Sequence, residues 1–207
     1  AFDMLTVTGD EVVNATISRN VVAGVLQTSA LGQGAGGILI AQASSGTTTV
    51  VNNMISGVMN PPIDPEFTVG ILVGGGAQTT RVWFNSVAMS GDRGQATSPS
   101  FALAIGGINP VVDVRDNILL NQQTGSSVGE GYVIGLDYGT SYSNLTSNFN
   151  DYFTDLNQFA VVGGFDNSPA GDRKPLSAWR TETGKDLNSV SGDPVFVNNQ
   201  TDLHISV

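Results

Sequence analysis

Arg81, Trp83, Asp113 and Arg115 are set apart by type and spacing. Asp113 lies 32 residues after Arg81, and Arg115 the same distance after Trp83. A guanidinium opposite a carboxylate forms an ion pair, and an indole opposite a guanidinium forms a cation–π contact. An exposed tryptophan ringed by Arg and Asp is a platform for a sugar ring. The same residues also suit a structural patch, covered by a loop such as NPPIDPEF (60–67). Solvent exposure of Trp83 separates the two readings.

Other oxygen-bearing side chains lie in loops. Asp64 and Glu66 fall in the first, and Asp166, Asn167 and Asp172 in the stretch DNSPAGD. Calcium takes six to eight oxygen ligands, which loops rich in Asp and Asn can supply. Neither spacing follows an EF-hand or a glycine-rich nonapeptide, so solvated acids are the simpler expectation. No other cofactor is implied. The glycine runs GQGAGG and VGGGAQ lead into neither a Lys-Ser/Thr pair nor a helix, so they are not phosphate loops.

The bulk composition narrows the field. The chain of 207 residues fits one domain with a sizeable core. A net charge of −10, with only 8 Lys and Arg, disfavours nucleic acid and polyanionic partners. There is no cysteine, hence no disulfide and no thiolate metal site. No apolar run reaches the length of a membrane span, so insertion is not expected. The start, AFDMLTVTGD, has no basic leader and reads as a piece cut from a longer chain.

These side chains must be held by something, and the spacing that pairs them recurs along the chain. The segments ISRNVVAGV, VVNNMISGV, VWFNSVAMSG, VRDNILLNQ and NFNDYFTD share an asparagine: Asn20, Asn53, Asn85, Asn117 and Asn150. The intervals are 33, 32, 32 and 33 residues. About half a repeat later comes an apolar run rich in glycine: GGILI, VGILVGGG, ALAIGG, YVIGL and AVVGG. Units this short cannot bury an apolar face alone and must stack on their neighbours.

The architecture that fits is all-β: a right-handed parallel β-helix of five or six coils of 32–33 residues. Stacked equivalents then lie about 4.8 Å apart. Residues three and five before each asparagine face inward (Val50 and Thr48, Val82 and Thr80), and those two and four before it face out. Outward positions put Arg81 beside Asp113 and Trp83 beside Arg115. The five asparagines form a ladder of stacked amides at a tight turn. The residue before each one (Arg19, Asn52, Phe84, Asp116, Phe149) is interchangeable.

The phrase NFNDYF, followed by LSAWRTETGKDLNSVSGDPVFVNNQTDLHI (176–205), resembles the terminal coils of pectate-lyase-like right-handed β-helix proteins. More narrowly, it is similar to the non-catalytic-looking repeats in large secreted and cell-surface bacterial proteins, those of Bacteroidetes especially. The resemblance covers the last third of the chain, and the remainder only through its periodicity. It implies one domain, with coils over about 1–165 and a helix and last coil over 166–207, excised from a longer chain. Pro175 and Gly184 bracket the helix, and Trp179 caps it.

The resemblance also implies tests for catalysis. Polygalacturonase-like members carry paired aspartates, Gly-His-Gly and Arg-x-Lys, whereas this chain has no Asp-Asp pair and a single histidine, His204, in the last strand. Lyases of the fold set a basic residue beside calcium-holding carboxylates, a pattern not visible here. The expectation is therefore a non-catalytic structural or adhesive module, secreted or surface-displayed. Its partners would be polysaccharides or other surface proteins. The competing expectations are a polysaccharide-binding or polysaccharide-cleaving β-helix, lined by Arg81, Trp83, Asp113 and Arg115, and a trimeric phage-fibre segment.

Overall fold

In the computed structural model the described residues are 13–28, 34–40, 42–61, 66–107, 109–126 and 129–206. Three parallel sheets run along a common axis. The first contains β1 (Thr16–Ser18), β4 (Thr47–Val51), β7 (Thr79–Trp83), β10 (Val111–Arg115) and β13 (Leu145–Asn148). The second contains β2 (Val21–Ala23), β5 (Met54–Ser56), β8 (Ser86–Met89), β11 (Ile118–Asn121) and β14 (Asp151–Phe153). The third contains β3 (Ala35–Ile40), β6 (Thr68–Val73), β9 (Ser100–Ile105), β12 (Gly131–Leu136) and β15 (Ala160–Val162), with β16 (Asp172–Arg173) antiparallel at its edge. The chain is a parallel β-solenoid in which each coil contributes one strand per sheet. Five recurrences carry it through four turns, fewer than the repeat count suggested.

Register follows the asparagine alignment. Val50 pairs with Val82, Val82 with Val114, and Asp113 with Arg81. Thr48, Val50, Thr80, Val82, Val112 and Val114 are all buried, as period-two alternation requires. The four valines among them join Ile55, Ile71, Val87, Leu103, Leu119, Ile134 and Tyr152 in one continuous core.

The corner between the first and second sheets is two residues long. Its first residue is left-handed in every coil: Arg19 (φ 57°), Asn52 (56°), Phe84 (53°), Asp116 (56°) and Phe149 (58°). This position is exposed and makes no packing demand, so its side chain varies while its backbone conformation does not. Its second residue is the asparagine. The main-chain N–H and Nδ2 of Asn53 both donate to Oδ1 of Asn85, at 3.1 and 2.9 Å. The same pair of bonds joins Asn20 to Asn53, Asn85 to Asn117 and Asn117 to Asn150. Each Nδ2 also reaches back to a carbonyl of the preceding coil: Ile17, Val50, Val82 and Val114 respectively for Asn53, Asn85, Asn117 and Asn150. From Asn53 onward the rungs are buried, and their amides replace the strand ladder that the corner interrupts.

After β15 the chain leaves the spiral. β16 folds back along β15, and α1 (Leu176–Thr183) lies between Pro175 and a left-handed Gly184 (φ 69°). The chain returns after the helix: Asp186 N donates to the Ser147 carbonyl, Val190 N to the Asn150 carbonyl and Tyr152 N to the Val190 carbonyl, so residues 186–190 stack on the corner of the fifth coil. Leu176 and Trp179 seal the core at that end. The ladder stops on Ser189, whose Oγ accepts from Asn150 N at 2.9 Å. Buried Asp186 accepts from Asn150 Nδ2, Ser147 Oγ, Ser189 Oγ and the Tyr152 hydroxyl through Oδ1, and from Trp179 Nε1 through Oδ2 at 2.8 Å. Finally β17 (Phe196–Asn198) and β18 (Asp202–Ile205) pair antiparallel. Their Phe196 and Leu203 cover the apolar outside of the second sheet, over Met54, Ala88, Ile118, Leu120 and Phe153. A flat apolar flank needs a cover, which a hairpin supplies and a further coil would not.

The two corner positions separate experimentally. Asn85→Ala leaves Asn53 N–H and the Val50 and Trp83 carbonyls short of partners inside the protein. It is expected to cost about 3 kcal/mol in chemical denaturation. Phe84→Gly relieves a left-handed aromatic residue and should range from neutral to about 1 kcal/mol stabilising. Equal losses at both positions would contradict this account of the corner.

Candidate functional site

The first sheet has a polar outer face, and it carries the four residues singled out by spacing. β7 and β10 place Arg81 beside Asp113 and Trp83 beside Arg115 in register. The contacts nevertheless run along each strand. Arg115 Nε donates to Asp113 Oδ1 at 2.6 Å, and the Arg81 guanidinium carbon lies 5.2 Å from the centre of the Trp83 ring. The expected cross-coil partners, Arg81–Asp113 and Trp83–Arg115, are thus exchanged. Half-exposed ion pairs differ by no more than about 1 kcal/mol, so register alone does not choose between neighbours for a side chain as long as arginine.

Trp83 is half-buried. Its Nε1 is shut away from solvent and has no hydrogen-bond partner among the described residues. The indole therefore offers a partly exposed ring, with Arg81 over it, and no donor. Phe84 and Phe149, each 55 % exposed, stand at the adjoining corner two coils apart. This group can make shallow contacts with a partner.

The acidic loop residues do not converge on one centre. Asp166 Oδ1 accepts from Ser168 N at 3.1 Å. Asn167 accepts from Glu130 N at 3.3 Å and donates to the Thr97 carbonyl at 2.8 Å. Asp172 accepts from the Tyr132 hydroxyl at 2.9 Å. Among the described residues no group of three or more His, Cys, Asp and Glu side chains could hold a metal ion. Asp64 lies outside the described residues.

The structure instead assembles a cluster that repeat spacing gives no hint of. The Tyr132 hydroxyl sits between Glu130 Oε2 and Asp172 Oδ1, and Gln158 Nε2 donates to Glu130 Oε1 at 2.7 Å. One phenolic proton serves two carboxylates, so burial and both acids hold the phenol protonated. Glu130 and Asp172 meet at the Tyr132 hydroxyl because the reversal before β16 lays Asp172 along β15, within reach of that side chain. A 32-residue period carries no trace of that fold-back.

No protein-family model, curated protein or solved structure matches this chain.

All four tyrosines, 132, 138, 142 and 152, are held above the ordinary phenol pKa, in each case chiefly by burial. A phenol that ionises near 10 in the unfolded chain but later in the fold stabilises the fold below that pH and ceases to do so as pH rises. Alkaline titration followed by phenolate absorbance should show little ionisation until the protein unfolds, and then all four together. Stepwise ionisation near pH 10 with the far-ultraviolet spectrum intact would contradict the burial of these rings.

Proposed function

We propose that the chain is a non-catalytic structural module, a rigid β-solenoid spacer of adhesive type, in a secreted or surface-displayed bacterial protein of pectate-lyase-like architecture. One observation carries this reading. The buried polar groups are spent along the axis, in an unbroken ladder from Asn20 to Asn150 that ends on Ser189 and Asp186. Bonds of this kind tie each coil to the next and resist bending and separation. The sealed end and the covered flank of the second sheet supply the same stiffness by packing.

A second reading, polysaccharide binding on the first sheet, draws on Phe84 and Phe149, whose exposed rings extend the strip of Arg81, Trp83, Asp113 and Arg115. The enclosed Nε1 of Trp83 and the guanidinium over its ring count against a stacked sugar there. A cleaving enzyme would require free carboxylates flanking a bond, whereas both oxygens of Glu130 already accept hydrogen bonds.

The spacer reading is tested by pulling the chain between two handle domains. It should hold its length at low load and give way coil by coil, and Asn85→Ala should lower the rupture force. Smooth extension at low load would overturn the reading. So would release of reducing ends from a neutral or acidic polysaccharide that disappears in Glu130→Gln.

A further inference from the structure

The two ends of the asparagine ladder are unlike. At the far end Asn150 is met by Ser189 and Asp186, β14 by Val190, whose carbonyl takes Tyr152 N–H at 3.0 Å, and β15 by β16. At the near end β1, β2 and β3 are the outermost strands of their sheets. From the second coil through the fifth, each asparagine Oδ1 accepts two bonds from the coil before. Asn20 donates to Asn53 Oδ1 and to the Ser18 carbonyl, but no described residue donates to its own Oδ1.

The backbone repeats this asymmetry. The residue after each later asparagine gives its N–H to the preceding asparagine's carbonyl: Met54 to Asn20, Ser86 to Asn53 and Ile118 to Asn85, each at 2.9 Å, and Asp151 to Asn117 at 2.8 Å. Val21 holds that place in the first coil, and no described residue accepts from it in this way. In β1 the Ala15 carbonyl and the Arg19 N–H bond toward β4. Parallel pairing alternates sides along a strand, so the N–H groups of Thr16 and Ser18 turn away from β4. Those of Val21 and Ala23 turn away from β5 in the same manner. The core is open here as well: Ile17 is only partly buried, whereas Val50, Val82 and Val114 stacked over it are 0 % exposed. An edge of unpaired backbone groups is a template for another strand, and strand addition is a recurring mode of peptide recognition.

The groups at this edge select what fits. A second copy meeting it head to head sets Asn20 Oδ1 against Asn20 Oδ1, acceptor to acceptor. A second copy meeting it head to tail presents an end already closed by Ser189, Asp186 and α1. Oδ1 calls for an amide that donates twice, as an asparagine does one residue past a left-handed corner. Arg19, at that corner, is exposed and has no ion pair among the described residues, so an acidic residue before the incoming asparagine complements it. Val21 is 73 % exposed and favours an apolar residue after it. The chain's own fourth coil has this order, Asp116-Asn117-Ile118.

We propose that the near end of the solenoid is a docking edge for a separate polypeptide, which adds a parallel strand–corner–strand segment of the pattern Asp-Asn-apolar and sets its asparagine amide on Asn20 Oδ1. The edge is the same whether or not the chain acts as a spacer, so the proposal does not rest on that reading.

A synthetic peptide of residues 111–121, added to the intact chain and followed by NMR shifts and amide hydrogen exchange, is the test. It should bind with Kd tighter than about 1 mM and slow exchange at Thr16, Ser18, Val21 and Ala23. Asn117→Ala in the peptide should weaken binding about tenfold. Arg19→Glu in the chain, at an exposed position that already varies from coil to coil, should reverse the charge preference. The peptide carrying Asp116→Lys should then bind more tightly than the parent peptide. Absence of binding would overturn the proposal, as would equal affinity for the Asn117→Ala peptide or an unreversed preference in Arg19→Glu. Slow exchange at those four amides without peptide would overturn it too, because the edge would already be occupied. So would a peptide-independent dimer in sedimentation that protects them, with a second copy as the occupant.

Discussion

The structure depends on one amide. At each corner between the first and second sheets the strand ladder breaks, leaving buried backbone groups that water cannot reach. Asparagine carries an acceptor and two donors at a length that reaches the neighbouring coil, and here it uses both ends. Oδ1 accepts from the coil before, while Nδ2 donates to the next rung and back to a carbonyl. The ladder tolerates coils of 32 and 33 residues alike, so what it fixes is the strand register at the corner, while the loops absorb the difference in length.

The ladder also dictates how the solenoid ends. A last rung with nothing above it would leave Asn150 with buried donors, and the chain supplies Ser189 and Asp186 to meet them. Asp186 is then a buried carboxylate, tolerable because Ser147, Asn150, Tyr152, Trp179 and Ser189 all donate to it. Trp179 is thereby both the plug on the core and a donor to the group that closes the ladder. The helix, the polar terminator and the final coil form one cap.

The three outer faces have divided fates. The third sheet buries Phe101, Tyr132 and Val161 with Phe67 and Phe165, and the second is covered by the terminal hairpin. The first remains polar, with Arg81, Trp83, Asp113 and Arg115 on it. These four were legible as a group because stacking follows from the period. Their pairing was not, because an exposed arginine has several partners of similar energy. The cluster of Glu130, Tyr132 and Asp172 depends on the non-repeating strand β16, and the unpartnered buried atoms of Arg93 and Gln123 lie in loops, so neither leaves a periodic signal.

The sequence by itself determined the coil length, the inward and outward alternation, the asparagine rungs and the helix bounded by Pro175 and Gly184. Each of these is a local or strictly repeating requirement, written wherever a residue type recurs at a fixed interval. Only the tertiary structure decided that the residue before each asparagine is left-handed. It also decided that β17 and β18 cover a flank instead of adding a coil. Those outcomes depend on how non-repeating segments fold back over a finished solenoid, where non-local burial and the satisfaction of buried polar groups select the arrangement.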